Sequence, residues 1–267
     1  MAGIEAAGKT VTAGTIVIRN CETLDEFTDC VNLQREVWGF SDLDLVPLRV
    51  FSLAAKIGGQ VIGAWDSEIM VGFALSVPGT HRRYPYLHSH MLAVKEAYRN
   101  TGLGRRIKLF QREDAVARGF DLIEWTFDPL EIKNAYFNIE RLGAIARRYN
   151  LNQYGITTSP LQGFLPTDRL VAEWWINSRR VETLLSSGRH PGFHAEMQIS
   201  VPAEIYAWKA NAETRHKAAE VQARNREQFL AAFSKGLACL GYGRDDHGSG
   251  VFLLGRWDED WSYATKT

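Results

Sequence analysis

The 267-residue sequence has no excess of charge of either sign, because 31 Lys and Arg residues balance 31 Asp and Glu residues. A chain without a net field has no general attraction for nucleic acid or for an anionic membrane. We therefore expect neither as a partner, and an anionic ligand has to be bound by a local arrangement of groups.

Cysteine is scarce and follows no metal-binding or disulfide pattern. Cys21, Cys30 and Cys239 are odd in number and form no C-x-x-C pair, which argues against a disulfide framework and against a zinc cluster. The chain also lacks any run of about 18 apolar residues, and residues 1–14 have no apolar segment of signal-peptide type. These absences predict a cytoplasmic protein that uses no metal, with residues 1–14 as a flexible tail.

The remaining sequence alternates between strand and helix patterns. Pro78, Gly79 and Pro85 predict a break before the strand that ends at Val94. The order strand, glycine loop, helix, strand over residues 87–127 predicts a β-α-β crossover with a parallel strand pair. Strands are predicted over residues 16–19, 60–64, 69–77, 87–94, 122–127, 170–176, 195–201 and 251–257, helices over 23–38, 103–118, 132–142 and 211–235, and a hairpin loop over 241–250.

A glycine loop joins the strand that ends at Val94 to the following helix. Arg99, Gly102 and Gly104 fit the pattern R-x-x-G-x-G at this place. Glycine removes the Cβ atoms that keep an oxyanion from the backbone, while a helix start supplies unpaired N–H groups and a positive dipole end. The loop therefore predicts a diphosphate site. The alternative is that Gly102 is an ordinary turn residue and that the cations form a solvated helix face. The predicted contacts are the successive amides and side chains of Arg99, Asn100, Thr101, Gly102, Leu103, Gly104 and Arg105, with Arg106 and Lys108 adding positive charge.

Two other phosphate-binding motifs are excluded by spacing. A dinucleotide fingerprint needs a third glycine where Ile107 stands, and no G-x-x-x-x-G-K-[ST] run occurs. Nucleotide-dependent oxidation and ATP hydrolysis are therefore not indicated.

The runs LAVKEAYRNTGLGRRI (92–107), IEWTFDP (123–129) and NAYFNIERLGA (134–144) resemble the GNAT superfamily of CoA-dependent N-acyltransferases. The resemblance implies an α/β fold with a mixed, partly parallel central sheet flanked by helices. It implies an acyltransferase core over residues 15–156 and a C-terminal α+β extension, residues 157–267, that completes the sheet and the acceptor cleft. Acetyl-CoA or another acyl-CoA is the implied co-substrate, with Leu92 and Val94 bonding its pantetheine arm and the Leu92 amide meeting the oxyanion.

The resemblance also directs attention to a base for the acceptor amine. Many members of the family have a glutamate six residues before the position of Val94, where this chain has His88. Imidazole titrates near neutral pH and can act as the base, and a strand histidine bonded to a carbonyl is the alternative. Glu124, on the adjacent strand, is a second candidate base or else an ion-paired residue.

The position that provides the general acid in many family members is different in this chain. Many members have a tyrosine four residues before the Gly143 position, and this chain has Ile139 there. Tyr136, one helical turn earlier, is the candidate acid, and packing is its alternative role. Asn134 and Asn138 would bond the pantetheine or the diphosphate, or else decorate the helix.

The sequence thus predicts an N-acyltransferase that acylates a small-molecule amine or an amino acid, and it is compatible with a homodimer. The alternative is a CoA-binding sensor or assembly module without catalysis, which the missing tyrosine favours.

Overall fold

The computed structural model describes residues 16–155 and 164–263. The predicted tail, residues 1–14, lies outside these ranges. Within them, none of the helices combines the length and apolar character needed to cross a membrane. The strands are β1 (Val17–Asn20), β2 (Gln60–Asp66), β3 (Ile69–His81), β4 (Tyr84–Val94), β5 (Leu122–Phe127), β6 (Ile145–Asn150), β7 (Arg169–Trp175), β8 (Met197–Val201), β9 (Leu237–Arg244) and β10 (Gly250–Arg256). The helices are α1 (Leu24–Trp38), α2 (Leu48–Lys56), α3 (Leu103–Ala117), α4 (Ile132–Tyr136), α5 (Arg179–Ser187), α6 (Ile205–Ala210) and α7 (Arg215–Ser234).

The chain divides into two compact units. Of the described residues, unit 1 comprises 16–77 and 90–111, and unit 2 comprises 78–89, 112–155 and 164–263. Strand β4 and helix α3 each contribute residues to both units.

In unit 1, β1 pairs with β2 and β2 with β3, both antiparallel, and β4 lies next to β3. Successive residues of a strand face opposite sides, so Val61 packs with α1 and α2 whereas Ile62 packs with Leu103 and Ile107 of α3. The start of α3 is therefore held against the sheet by buried apolar contacts.

In unit 2 the spatial order is β4, β5, β7, β6, β9, β10 and β8. Strands β4 and β5 are parallel and pair at Leu87 with Ile123 and at His88 with Glu124, while the other strand pairs are antiparallel. One face of this sheet packs against α4 through Ile123 and Trp125. The structure confirms the predicted α/β class with a partly parallel sheet flanked by helices.

The predicted break at Pro78, Gly79 and Pro85 is wrong. Strand β3 runs through Pro78 and Gly79 to His81, and Pro85 lies inside β4. Gly79 lets the ring of Tyr86 lie over the strand, because a Cβ on it would be 2.8 Å from Cζ of Tyr86 and would displace that ring. The reversal occurs instead at Arg82 and Arg83, which have φ of 47° and 72°.

Candidate active site

The glycine loop of unit 1 is fixed by short-range hydrogen bonds. After β4, the Lys95 N–H donates to the carbonyl of Val71 at 2.9 Å, and the Thr101 hydroxyl donates to the carbonyl of Tyr98 at 2.7 Å. Asn100 and Gly102 take left-handed conformations, with φ of 62° and 88°. These residues turn the chain into the first residue of α3.

Helix α3 begins with the amides of Leu103 and Gly104. The Arg106 N–H donates to the Gly102 carbonyl at 3.1 Å, so the earlier amides of Leu103 and Gly104 have no acceptor within the helix. A Cβ on Gly104 would lie 3.9 Å from Cγ2 of Val94 and 4.0 Å from Cδ2 of Leu92, which is ordinary contact. Packing therefore does not require glycine at 104, and the missing Cβ leaves this backbone open to close approach by an anion.

The structure excludes one backbone amide from those predicted to bind the diphosphate. The Arg99 N–H donates to the Glu96 carbonyl at 3.1 Å, so the predicted run of amides does not begin at Arg99. Its guanidinium Nε donates to the Val94 carbonyl at 3.2 Å, which engages one of the groups predicted for pantetheine. Arg99 nevertheless remains exposed beside the loop.

The prediction that Lys108 adds charge to this loop is wrong. Its side chain is 2% exposed, and Nζ donates to Oε1 of Gln111 at 2.7 Å inside unit 1. Burial lowers the pKa of Lys108 well below its usual value, because the charged ammonium loses its hydration. Position 108 adjoins the face of Ile107 and Gln111, which is buried against the sheet.

Lys108→Met is expected to leave the affinity for CoA within about twofold of the wild-type value, because the ammonium does not reach the loop. A charge-assisted contact with phosphate would instead cost roughly tenfold or more on removal. Isothermal titration calorimetry with CoA measures the difference. If the affinity of Lys108→Met for CoA falls tenfold or more, Lys108 does take part in binding.

A second polar cluster lies in unit 2, on the sheet face opposite α4. His88 and Glu124 are register partners of the parallel strands β4 and β5, so their side chains project from the same face. His88 is half-buried and Glu124 is 4% exposed. The structure therefore brings the two candidate bases together.

Glu124 is bonded through one carboxylate oxygen. Arg148 Nη2 and the Tyr263 hydroxyl both donate to Oε1. Burial raises the pKa of Glu124, and the charge of Arg148 and the hydrogen bond from Tyr263 oppose that rise. A buried carboxyl with a raised pKa in a polar cluster is typical of a functional site.

The same cluster contains a second buried carboxylate, Glu173, which is the register partner of Glu124 on β7 and is 1% exposed. Its Oε2 accepts from Arg147 Nε at 3.1 Å and from Trp175 Nε1 at 3.1 Å, and its Oε1 accepts from Arg148 Nε at 3.3 Å. Two glutamates and two arginines thus balance one another on this face. Glu173 is fully engaged by its donors, whereas Glu124 is bonded at Oε1.

A segment near the end of the described chain, residues 257–263, packs on this cluster. The Trp261 carbonyl accepts from Arg147 Nη2 at 3.2 Å, and the Trp261 ring lies 5.6 Å from that of Trp175. Sequence reasoning missed Tyr263, since it lies 139 positions from Glu124 and belongs to no recognisable motif.

The structure does not bring Tyr136 to the pair of His88 and Glu124. It lies on α4, which covers the opposite face of the sheet, and its side chain is 44% exposed. Ile139, at the usual tyrosine position, is 1% exposed. Tyr136 as an acid stays a prediction.

The two predicted asparagines differ in their surroundings. Asn138 is buried, accepts from Trp125 Nε1 at 3.1 Å and donates to Oδ1 of Asn134 at 3.3 Å. Asn134 is exposed on α4. Asn138 therefore makes internal hydrogen bonds, and binding of the ligand by Asn134 and Asn138 stays a prediction. Among the residues that the structure describes, no three His, Cys, Asp or Glu side chains are grouped as a metal site requires.

Comparison with known proteins agrees with this architecture. Residues 24–143 match the model of the Acetyltransferase (GNAT) family. The fold is similar to that of the ribosomal-protein-S18-alanine N-acetyltransferase from Escherichia coli, with a TM-score of 0.50 and 15% identity over 61% of this chain and 96% of that one. It is also similar to that of an N-acetyltransferase from Staphylococcus aureus Mu50, with a TM-score of 0.51 and 11% identity over 61% of this chain and 100% of that chain. No curated protein matches the chain. Residues 24–143 of this chain thus match the GNAT family model, and the chain shares its fold with these acetyltransferases.

Proposed function

We propose that this protein is an acyl-CoA-dependent N-acyltransferase that transfers an acetyl or other short acyl group to a primary amine of a small molecule or amino acid. The observation that carries the proposal is the start of α3, at Leu103 and Gly104, within the residues that match the family. The first-turn amides and the helix dipole favour a dianionic diphosphate at this place.

The residues of the loop fit the diphosphate of CoA. Gly104 presents no Cβ although packing leaves space for one, and Gly102 supplies the left-handed turn that precedes the helix. Arg99 is exposed next to these amides and adds a positive charge. Asn100, Thr101 and Arg105 complete the proposed binding loop.

Leu92 and Val94 are proposed to bond the pantetheine arm as an added strand would. Strand β4 continues to Val94, beyond its last register pair with β5 at His88. The Leu92 amide is the proposed donor to the carbonyl oxygen of the thioester, which becomes negatively charged during the transfer.

The base is proposed to be His88, with Glu124 beside it. An alkyl amine has a pKa of about 10 and is mostly protonated at neutral pH, so it needs a proton acceptor before it can attack. His88 accepts this proton, and the buried carboxylate of Glu124 stabilises the resulting imidazolium. The amine nitrogen then forms a bond to the acyl carbon while the carbon–sulfur bond breaks, and the second proton lost by that nitrogen passes to solvent or to the released thiolate. A thiol with a pKa of about 8.5 leaves as a thiolate without a dedicated acid, which is consistent with Ile139 at the usual tyrosine position.

Ile139 also favours a second candidate function, a CoA-binding module without catalysis. Its apolar side chain is buried and cannot donate a proton, and Tyr136 lies on the helix that covers the opposite sheet face from Glu124. Such a module would bind CoA through the same loop of unit 1.

The two functions are separated by incubating the protein with acetyl-CoA and a panel of primary amines that includes free amino acids, and by following the release of free thiol. The enzyme is expected to release thiol in proportion to acylated amine, identified by mass spectrometry. CoA binding in calorimetry without thiol release for any amine in the panel would favour the module.

A further inference from the structure

Tyr263 closes the polar cluster around Glu124. Its hydroxyl donates to Oε1 of Glu124 and accepts from Nη2 of Arg148, which donates to the same carboxylate oxygen. The Arg148 guanidinium lies 4.7 Å from the centre of the Tyr263 ring. The hydroxyl proton of Tyr263 is thus directed to the Glu124 carboxylate. The hydroxyl oxygen accepts a hydrogen bond from the charged Arg148.

The position of this hydroxyl is set by packing. The Tyr263 ring lies 4.5 Å from that of His81 and 5.7 Å from that of Trp175. The segment that carries it is anchored at Glu259, which accepts the backbone N–H groups of Arg179 at 2.9 Å and Arg180 at 3.0 Å. An aromatic ring fixed on several sides presents its hydroxyl at one place.

We infer that Tyr263 is a positioning residue of the acyl transfer, which acts through Glu124 by holding its carboxylate ionised beside His88. The inference rests on the proposed function, because it gives Glu124 the role of supporting the base. It assigns part of the catalytic arrangement to a residue outside the segment that matches the family, residues 24–143.

Several charged or titratable groups face Glu124. They are Tyr86 and His88 on β4, Arg147 and Arg148 on β6, Glu173 on β7 and Tyr263 on the segment of residues 257–263. Burial and the charge of Glu173 raise the pKa of Glu124, while Arg148 and the Tyr263 hydroxyl lower it. Loss of the hydroxyl therefore raises the pKa of Glu124. Activity that depends on an ionised Glu124 is then lost at a higher pH when the solution is acidified.

The test is Tyr263→Phe, which keeps the ring and removes the hydroxyl. We expect the acid limb of the pH profile of kcat/KM, measured with acetyl-CoA and the amine acylated fastest, to move up by about one pH unit. The midpoint for Glu124, followed by ¹³C NMR of glutamate-labelled protein without substrate and assigned with Glu124→Gln, should move in the same direction. Tyr84→Phe is the matched control, since its hydroxyl bonds to Asp121 and its ring lies 6.5 Å from that of Tyr263.

An unshifted Glu124 midpoint in Tyr263→Phe would overturn the inference, and so would a shifted midpoint with an unshifted acid limb. The NMR midpoint is measured without turnover. A failure of the inference is therefore distinguishable from a failure of the proposed function, which would appear as no thiol release by the wild-type protein.

Discussion

Gly104→Asp is expected to weaken CoA binding by at least about 100-fold while the protein stays as stable as the wild type. The added carboxylate would stand at the start of α3, where the diphosphate is proposed to bind, and two like charges about 4 Å apart repel by several kcal/mol even in a partly polar environment. Folding is not impaired, because a Cβ at this position meets only ordinary contacts and a negative charge in the first turn is favourable to the helix dipole.

Two variants make this result specific. Leu24→Asp places the same charge in the first turn of α1, where the leucine is 61% exposed, and should leave the affinity for CoA unchanged. Gly104→Ala adds a methyl group without charge and should weaken binding to an intermediate extent. Calorimetry gives the affinities and thermal unfolding gives the stabilities. If the CoA affinity of Gly104→Asp stays within about tenfold of the wild-type value, the diphosphate does not bind at the start of α3.

His88→Gln is expected to lower kcat/KM by about 10² to 10⁴-fold, which is the usual contribution of a general base. Glutamine keeps a polar side chain of similar size on β4 but cannot accept the proton of the amine. The affinity for CoA should stay near the wild-type value, because the residues proposed to bind it do not include His88. Thiol release and calorimetry measure the two effects separately.

The control for the histidine is His247→Gln, in the exposed turn between β9 and β10, which should leave kcat/KM unchanged. Full activity of His88→Gln would show that His88 is not the base. Loss of activity in Glu124→Gln together with full activity in His88→Gln would assign the base to Glu124.

The sequence predicted the elements that depend on neighbouring residues. The start of α3 at Leu103 follows from the glycine loop and from apolar residues at helical spacing, all within about ten positions. The parallel pair of β4 and β5 follows from the crossover connection. The register of His88 with Glu124 refines this prediction.

Features set by tertiary packing could not be predicted in the same way. The cluster of cations in the sequence predicted that Lys108 lies at the loop. The helical face with Ile107 and Gln111 is buried, however, and Lys108 is buried next to it. Pro78 and Gly79 resemble a chain break, yet the ring of Tyr86 on the next strand covers the glycine. Helix α2 was missed because its nine residues span few helical turns; Phe51 and Ala54 are buried and Leu48 packs against the same core. Tyr263 reaches Glu124 through a contact that no local pattern signals.

NMR of protein labelled with ¹⁵N-glycine measures whether the amides at the start of α3 bind the diphosphate of CoA. The Gly104 signal is assigned from its absence in Gly104→Ala, and Gly119, beyond the carboxyl end of α3, is the internal reference. We expect CoA to shift the Gly104 amide proton downfield, as hydrogen bonding to phosphate does, and to leave the Gly119 signal in place. Binding of CoA with an unshifted Gly104 signal would contradict it.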